Sequence, residues 1–315
     1  VLVNYEVRDG LAILTLNDPP ANTYTYEMFR QLDSAILDAR MADEVHVIII
    51  RGHGEKFFSA GANISMLNSV TPRFKYFFCL HANETLSRLE QTPKLTIAAL
   101  NGHTVGGGLE VCLGSDAVQA YAETYSGLVE VGVGLIPGGG GCLNLTWRAL
   151  ENIPEGADAL VDPFVAQVFK NIAMANVATS ALMAQELGYF RKTDGISFDK
   201  ARVAGDAKAR AIGMAESGYH APVPKSYVLP GESGIATISM LVDTLVAGGF
   251  ATEYDGVIAR KLARILCGGA AGAAGPVSEQ RMLDLERETF LALCGEQRTL
   301  DRMQHMLMNN KPLRN

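Results

Sequence analysis

Apolar and polar positions alternate through Val3, Tyr5 and Val7, and the chain then turns wholly apolar at LAILTL (residues 11–16), with Asp9-Gly10 between the two runs. A period of two on either side of Asp-Gly predicts a β-hairpin, because that dipeptide tolerates the positive φ angles of a tight turn. Over residues 26–41 the period changes: Met28, Phe29, Leu32, Ile36 and Leu37 recur at helical spacing. Val45–Ile50 is a continuous apolar run, the pattern of a strand covered on both faces. A loop, GHGEKFFSAGANIS, leads to a helical stretch through about Gln91 that holds Phe77, Leu80, Leu86 and Leu89. Pro93 ends it, and LTIAAL (95–100) is the next buried strand.

The alternation continues with a glycine loop at 102–108, helical EVCLGS, a strand around 117–121, a loop through Gly127 and a second glycine run at 138–141. Strands alternating with helices predict an α/β fold. Beyond about residue 145 strand signals fade and helical periodicity takes over. Residues 218–235 carry three of the twelve prolines and read as an irregular loop. A helix is predicted over 278–294, with Ser278 as N-cap, Met282, Leu285 and Leu293 on its apolar face and Gly295 as C-cap. Another helix, with Leu300, Met303 and Leu307, follows it.

Composition narrows the picture. Of 315 residues, 48% are hydrophobic and 19% charged, which supplies a sizeable core and excludes a disordered chain. The length fits one large domain or two smaller ones. The net charge of −7 argues against a nucleic-acid protein, which needs a basic face. No apolar run reaches the roughly 18 residues of a membrane-spanning helix. The first residues, VLVNYEVRDG, also lack the basic-then-apolar order of a secretion signal, so a cytoplasmic location without membrane contact is expected. Five cysteines with no CxxC pair, and six histidines without ligand spacing, predict neither a disulfide framework nor a metal site. Twelve of the 32 glycines lie between Gly102 and Gly141, where backbone must turn sharply or come close to a ligand.

Three segments carry candidate chemistry. In Phe57-Phe58-Ser59-Ala60-Gly61-Ala62-Asn63-Ile64, a small-residue turn after a buried strand can aim backbone N–H groups into a crevice, or can be an ordinary loop. In Asn101-Gly102-His103-Thr104-Val105-Gly106-Gly107-Gly108-Leu109-Glu110, glycines open a helix whose free N–H groups form an anion site. Glu110 there is either a working carboxylate among apolar neighbours or a first-turn acid complementing the helix dipole. In the third segment, residues 128–141, Glu130 is the only charge among apolar residues and glycines. Desolvation would raise its pKa toward a value suited to proton transfer, unless it faces water at a rim. Gly132-Val-Gly134-Leu-Ile-Pro137 places Pro where a dinucleotide loop needs its third glycine, and no phosphate-binding GxxxxGK[ST] is present.

In this order the FxAGAxI loop, the GHTVGGGLE segment and the E-x6-PGGGG segment resemble the crotonase (enoyl-CoA hydratase/isomerase) superfamily. The resemblance implies an α/β fold with a ββα spiral core of the ClpP/crotonase kind over 1–195. It also implies a C-terminal helical region over 196–315 that belongs to the same unit, closes the acyl pocket and mediates a homotrimer or hexamer. It assigns Glu110 and Glu130 as catalytic carboxylates, the Ala62 and Gly107 N–H groups as an oxyanion hole, and Gly138 N–H to the water. Lys56, Ala60, Ile64 and Met66 fall where the family binds coenzyme A and the acyl chain. Hydratases of the family keep both glutamates, so the pair implies hydration of trans-2-enoyl-CoA in fatty-acid β-oxidation. The alternatives are an isomerase using Glu130 alone and a thioester-binding module without activity. An acyl-CoA substrate is the expected partner, with no separate cofactor, metal, nucleic acid or membrane. Asn63 stands where the family commonly has aspartate. From about residue 112 onward the chain resembles the hydratase part of bacterial bifunctional 3-hydroxyacyl-CoA dehydrogenase/enoyl-CoA hydratases.

Overall fold

The hairpin forms as the alternation predicts: β1 (Val3–Arg8) pairs antiparallel with β2 (Leu11–Leu16), Val3 opposite Leu16 and Arg8 opposite Leu11. Asp9 and Gly10 take φ angles of 51° and 77°. The following helix spans Tyr26–Met41, and the Thr25 hydroxyl accepts the Met28 N–H at 3.2 Å, which satisfies one of the helix's orphan donors. The computed structural model describes every residue except 155, 156, 158, 159 and 271. The chain divides into two units, each assembled from separated stretches.

The first unit comprises Val1–Asn63, Leu80–Gly127 and Val177–Val223. After the hairpin the chain lays down β3 (Val47–Gly52), β4 (Phe57–Ser59), β5 (Leu95–Leu100), β6 (His103–Val105), β7 (Ala117–Tyr121), β8 (Ser126–Gly127) and β9 (Gly195–Ser197). A six-stranded sheet runs β1-β2-β3-β5-β7-β9, and a three-stranded sheet runs β4-β6-β8. All pairings after the hairpin within these two sheets are parallel. Three successive passes therefore each leave one strand in the large sheet and one in the small sheet, which is the ββα arrangement the family resemblance implies.

Register explains the core. Leu11, Val47 and Leu95 lie side by side on one face, as do Ile49, Ile97 and Ala117. The helix Val203–Glu216 covers that face with Val203, Ala207 and Ala211, an i, i+4, i+8 row of small residues that lets the helix approach closely. Leu14, Leu16, Ile48, Ile50, Ala98 and Leu100 are fully buried on the other face.

The second unit comprises Ile64–Cys79, Leu128–Asn176 and Pro224–Asn315 and is mainly helical. It holds helices over Ile64–Ser69, Gly141–Leu150, Asp162–Ala173, Gly231–Ala247, Glu253–Leu266, Glu279–Cys294 and Gln297–Asn309. The stretch 218–235, expected to be irregular, instead contains β10 (Ser226–Leu229) and the start of the helix Gly231–Ala247. β10 pairs antiparallel with β11 (Gly275–Ser278), Ser226 opposite Ser278 and Leu229 opposite Gly275, a long-range contact that local pattern cannot reveal. Ser278 accepts the Arg281 N–H and Gly295 ends the helix Glu279–Cys294, as the capping signals predict. The final helix forms as expected, over Gln297–Asn309; Thr299, Arg302 and Met303 are its buried residues, while Leu307 is 46% exposed.

All five cysteines are free and buried. Burial pushes the Cys267 and Cys294 thiols up to about 12, which leaves little reactive thiolate. No helix among the described residues is long and apolar enough to cross a membrane.

Candidate active site

The small sheet brings the first two glycine segments together within the first unit. Gly61 takes φ +81°, and a Cβ built on it would stand 2.6 Å from the Gly107 nitrogen, so the two backbones pass in contact. Tyr24 holds the Ala62 segment in a parallel bridge: Tyr24 N–H donates to Gly61 O at 2.8 Å, and Asn63 N–H donates to Tyr24 O at 2.9 Å. Those two bonds occupy one edge of the segment and turn the Ala62 N–H to the opposite edge. Gly107 opens the helix Gly107–Leu113, behind Gly106 at φ 57°, so its N–H has no acceptor inside the helix. Two backbone donors, Ala62 N–H and Gly107 N–H, thus belong to adjoining backbones.

Glu110 lies one turn into the same helix and is 6% exposed. It therefore does not face water as a dipole-complementing surface acid would. Tyr24 is the neighbour that sequence reading missed. Its ring packs against Gly107, where an added Cβ would lie 3.3 Å from Cδ2, and against Phe29 with centroids 5.0 Å apart. Burial, with the nearby Cys112 and Glu110 adding to it, holds the Tyr24 phenol well above its ordinary range, so it stays protonated. No periodic signal marks Tyr24, because it is a single bridge residue between a turn and a helix.

Asn22 secures the turn from beneath. It takes φ 48°, a left-handed angle that Asn tolerates, and its Nδ2 donates to the carbonyls of His53, Phe57 and Phe58 at 3.0–3.1 Å. Ser59 donates to Asn22 O and accepts the Gly61 N–H, tying the loop to the same bend. Asn63, where the family commonly has aspartate, uses its amide to donate to Thr23 Oγ1 at 3.1 Å.

Lys56 is exposed, with Nζ 5.6 Å from the Phe57 ring centroid. It lines a cavity of about 550 Å³ together with His103, Tyr121, Tyr125 and Lys200. His103 lies between Phe57 and Tyr125, centroids 5.0 and 4.9 Å away. Burial, then the positive charges of Lys56 and Lys200, lower its pKa, so it is a neutral, stacked side chain near pH 7. Ala60 and Ala62 are half-buried in the same unit.

Glu130, Gly138, Ile64 and Met66 belong to the second unit. Glu130 opens a 3₁₀ turn, Glu130–Val133, that Gly134 closes at φ +81°; its Oε2 is shielded from solvent. Ile64 and Met66 lie half-buried on the helix Ile64–Ser69, whose Leu67 is core. Gly138 packs on Phe290, where an added Cβ would lie 2.7 Å from Cδ2.

The glycine run is held from the helix Glu279–Cys294. Glu286, fully buried, accepts the Gly140 and Leu143 N–H groups at 2.7 Å each and so caps the helix Gly141–Leu150. The legible signal was a carboxylate on an apolar stripe, between Met282 and Phe290 at i−4 and i+4. Glu286→Gln would aim an amide N–H₂ at N–H donors, leaving buried groups unsatisfied. We expect it to destabilise the fold by about 2–3 kcal/mol, measured as a lower urea midpoint at unchanged slope.

A family profile described as enoyl-CoA hydratase/isomerase matches residues 6–157. The chain is 37% identical over 271 residues to a probable 3-hydroxyacyl-CoA dehydrogenase of Bacillus subtilis, covering 85% of this chain and 34% of that protein. It is 35% identical over 142 residues to a short-chain-enoyl-CoA hydratase of Clostridium acetobutylicum, covering 45% of this chain and 54% of the relative. The chain belongs to the crotonase (enoyl-CoA hydratase/isomerase) superfamily. It spans about a third of the length of the first of these relatives and about half of the second. The solved enoyl-CoA hydratase of Bacillus halodurans has the same fold, with a TM-score of 0.65 at 18% identity over 96% of this chain and 99% of that one. The enoyl-CoA hydratase structure from Mycobacterium avium subsp. paratuberculosis gives 0.63 at 17% identity, covering 96% and 98%. A crotonase-type fold with a helical C-terminal region therefore describes the chain.

Proposed function

We propose that this superfamily member is a hydratase that adds water across the double bond of a trans-2-enoyl-CoA. The observation that carries the reading is the pair of backbone donors at Ala62 and Gly107, with buried Glu110 on the helix that Gly107 opens. Hydration of a conjugated thioester builds negative charge on the thioester oxygen as water attacks C3. Two fixed N–H groups meet that charge without reorganising, and each such donor contributes about 3–4 kcal/mol in comparable sites. The remaining chemistry is proton handling. One carboxyl group takes a proton from water and the other supplies a proton to Cα, roles that Glu110 and Glu130 fill. Gly138 N–H orients the water, and Lys56, Ala60, Ile64 and Met66 bind the coenzyme A thioester. The similarity to a short-chain-enoyl-CoA hydratase supports this reading.

The test follows the absorbance of the conjugated thioester with trans-2-enoyl-CoA substrates of several chain lengths. Conversion to the 3-hydroxyacyl-CoA is expected. Turnover of a 3-enoyl-CoA without hydration would assign an isomerase working through Glu130 alone, and tight binding of the thioester without turnover would assign a binding module.

A further inference from the structure

The final helix of the second unit buries an arginine and a threonine where an amphipathic helix would bury leucines. Both side chains reach the turn that carries Glu130. Arg302, 2% exposed, donates from Nη1 to the Val131 carbonyl at 3.1 Å. Its Nη2 faces Asp255 Oδ1 at 2.8 Å, its Nε donates to Asn315 Oδ1 at 2.8 Å, and its guanidinium lies over the Tyr254 ring. Thr299, fully buried, donates to the Gly134 carbonyl at 2.7 Å, and the Tyr254 hydroxyl meets Thr299 Oγ1 at 2.6 Å. Gly134 is packed so closely that an added Cβ would stand 2.7 Å from Thr299 Oγ1.

A short 3₁₀ turn has few bonds of its own to fix it. Here its second residue and its closing glycine are each tied by a carbonyl to the same helix, which clamps the turn on both sides of Gly132. Val131 O also accepts the Gly134 N–H at 3.1 Å, so one oxygen links the guanidinium to the turn's internal bond. Burying a guanidinium is costly unless its donors are satisfied, and the planar fork suits this set of acceptors where a lysine would not. Asp255 is already engaged as the reciprocal partner of Thr252 in the capping box of the helix Glu253–Leu266, so it offers Arg302 a fixed anchor.

We propose that Arg302, anchored by Asp255 and assisted by Thr299, is the positioning residue for Glu130: it sets the carboxylate by holding the Val131 carbonyl and touches no substrate. The inference rests on the reading of Glu130 as a catalytic carboxylate. It gives the C-terminal helix a part in the reaction beyond closing a core.

The test measures hydration kinetics and amide exchange of the full chain carrying Arg302→Met, Arg302→Lys and Thr299→Val. Arg302→Met is expected to lower kcat by about 10²-fold with KM little changed, the scale of a 1 Å misplacement of a reacting group. Arg302→Lys should recover part of that loss. In a Glu130→Gln background, Arg302→Met should cause no further loss, because the carboxylate it positions is gone. The Gly132 and Gly134 amides should exchange faster in both Arg302→Met and Thr299→Val. An equal loss in the presence and absence of the Glu130 carboxylate would overturn the proposal and leave Arg302 a structural residue. If Arg302→Met does not fold, Thr299→Val carries the same double-variant comparison. A wild-type chain that does not hydrate enoyl-CoA would overturn the functional reading instead; the clamp is then judged by exchange alone, and unchanged exchange overturns it.

Discussion

Glu130→Gln is expected to slow hydration of trans-2-enoyl-CoA by about 10²–10⁴-fold, the range that a positioned acid or base contributes, and Glu110→Gln by a similar factor. The substitution preserves shape and removes the ability to exchange a proton near neutrality. Glu110 is 6% exposed on a short helix whose other residues are almost all buried, so an isosteric amide keeps its packing. The urea midpoints should therefore barely move, in contrast to Glu286→Gln, where a buried acceptor of two N–H groups is lost. On the proposed mechanism both glutamates serve one hydration step, so the double variant should be about as slow as the slower single variant. Additive losses would show that the two act in separate steps.

Gly61→Ala should produce the second large loss, about 10²–10³-fold in kcat, together with a lower urea midpoint. The residue has φ +81°, where a side chain is strained by about 1–3 kcal/mol. Its Cβ would also fall 2.6 Å from the Gly107 nitrogen, a backbone atom that cannot rotate aside. Relief requires the Gly107 N–H to move, and the expected activity loss is that of removing one donor from the proposed oxyanion site. Gly54→Ala separates the two effects. Gly54 has φ +80° but nothing within 4 Å of an added Cβ, so it should lower stability and leave kcat unchanged. Equal kinetic effects at the two positions would remove the argument for a donor at Gly107.

These expectations rest on features of unequal legibility in the sequence. The hairpin, the helix Tyr26–Met41, the strand Leu95–Leu100 and the capped helix Glu279–Cys294 were readable because local pattern decides them: Asp-Gly at a turn, helical spacing from Met28 to Leu37, a continuous apolar run, and Ser278 at a helix start. The strands of the small sheet were not, because β4, β6 and β8 are two or three residues long and show no period. β9 was missed for a related reason: it is three residues long and joins the large sheet beside β7 by a long-range pairing, Gln119 opposite Gly195.

The glycine segments and both glutamates stood out as a lone charge or a run of small residues. Their supports did not. Asn22 lies in a turn and Tyr24 is an isolated bridge residue, and Arg302 and Thr299 look like the polar face of a helix until the structure buries them. Of the apolar residues of that helix Met303 is buried as core and Leu307 is exposed, while the buried polar residues Thr299 and Arg302 donate to the Gly134 and Val131 carbonyls.

The most direct measurement of the central claim is isotopic. The chain is incubated with a trans-2-enoyl-CoA in ¹⁸O-labelled water and the product is weighed by mass spectrometry. A hydratase working through Glu110 and Glu130 gives a 3-hydroxyacyl-CoA carrying one ¹⁸O atom, and Glu130→Gln gives almost none in the same time. An isomerised product without ¹⁸O, or label incorporated equally fast by Glu130→Gln, would contradict it.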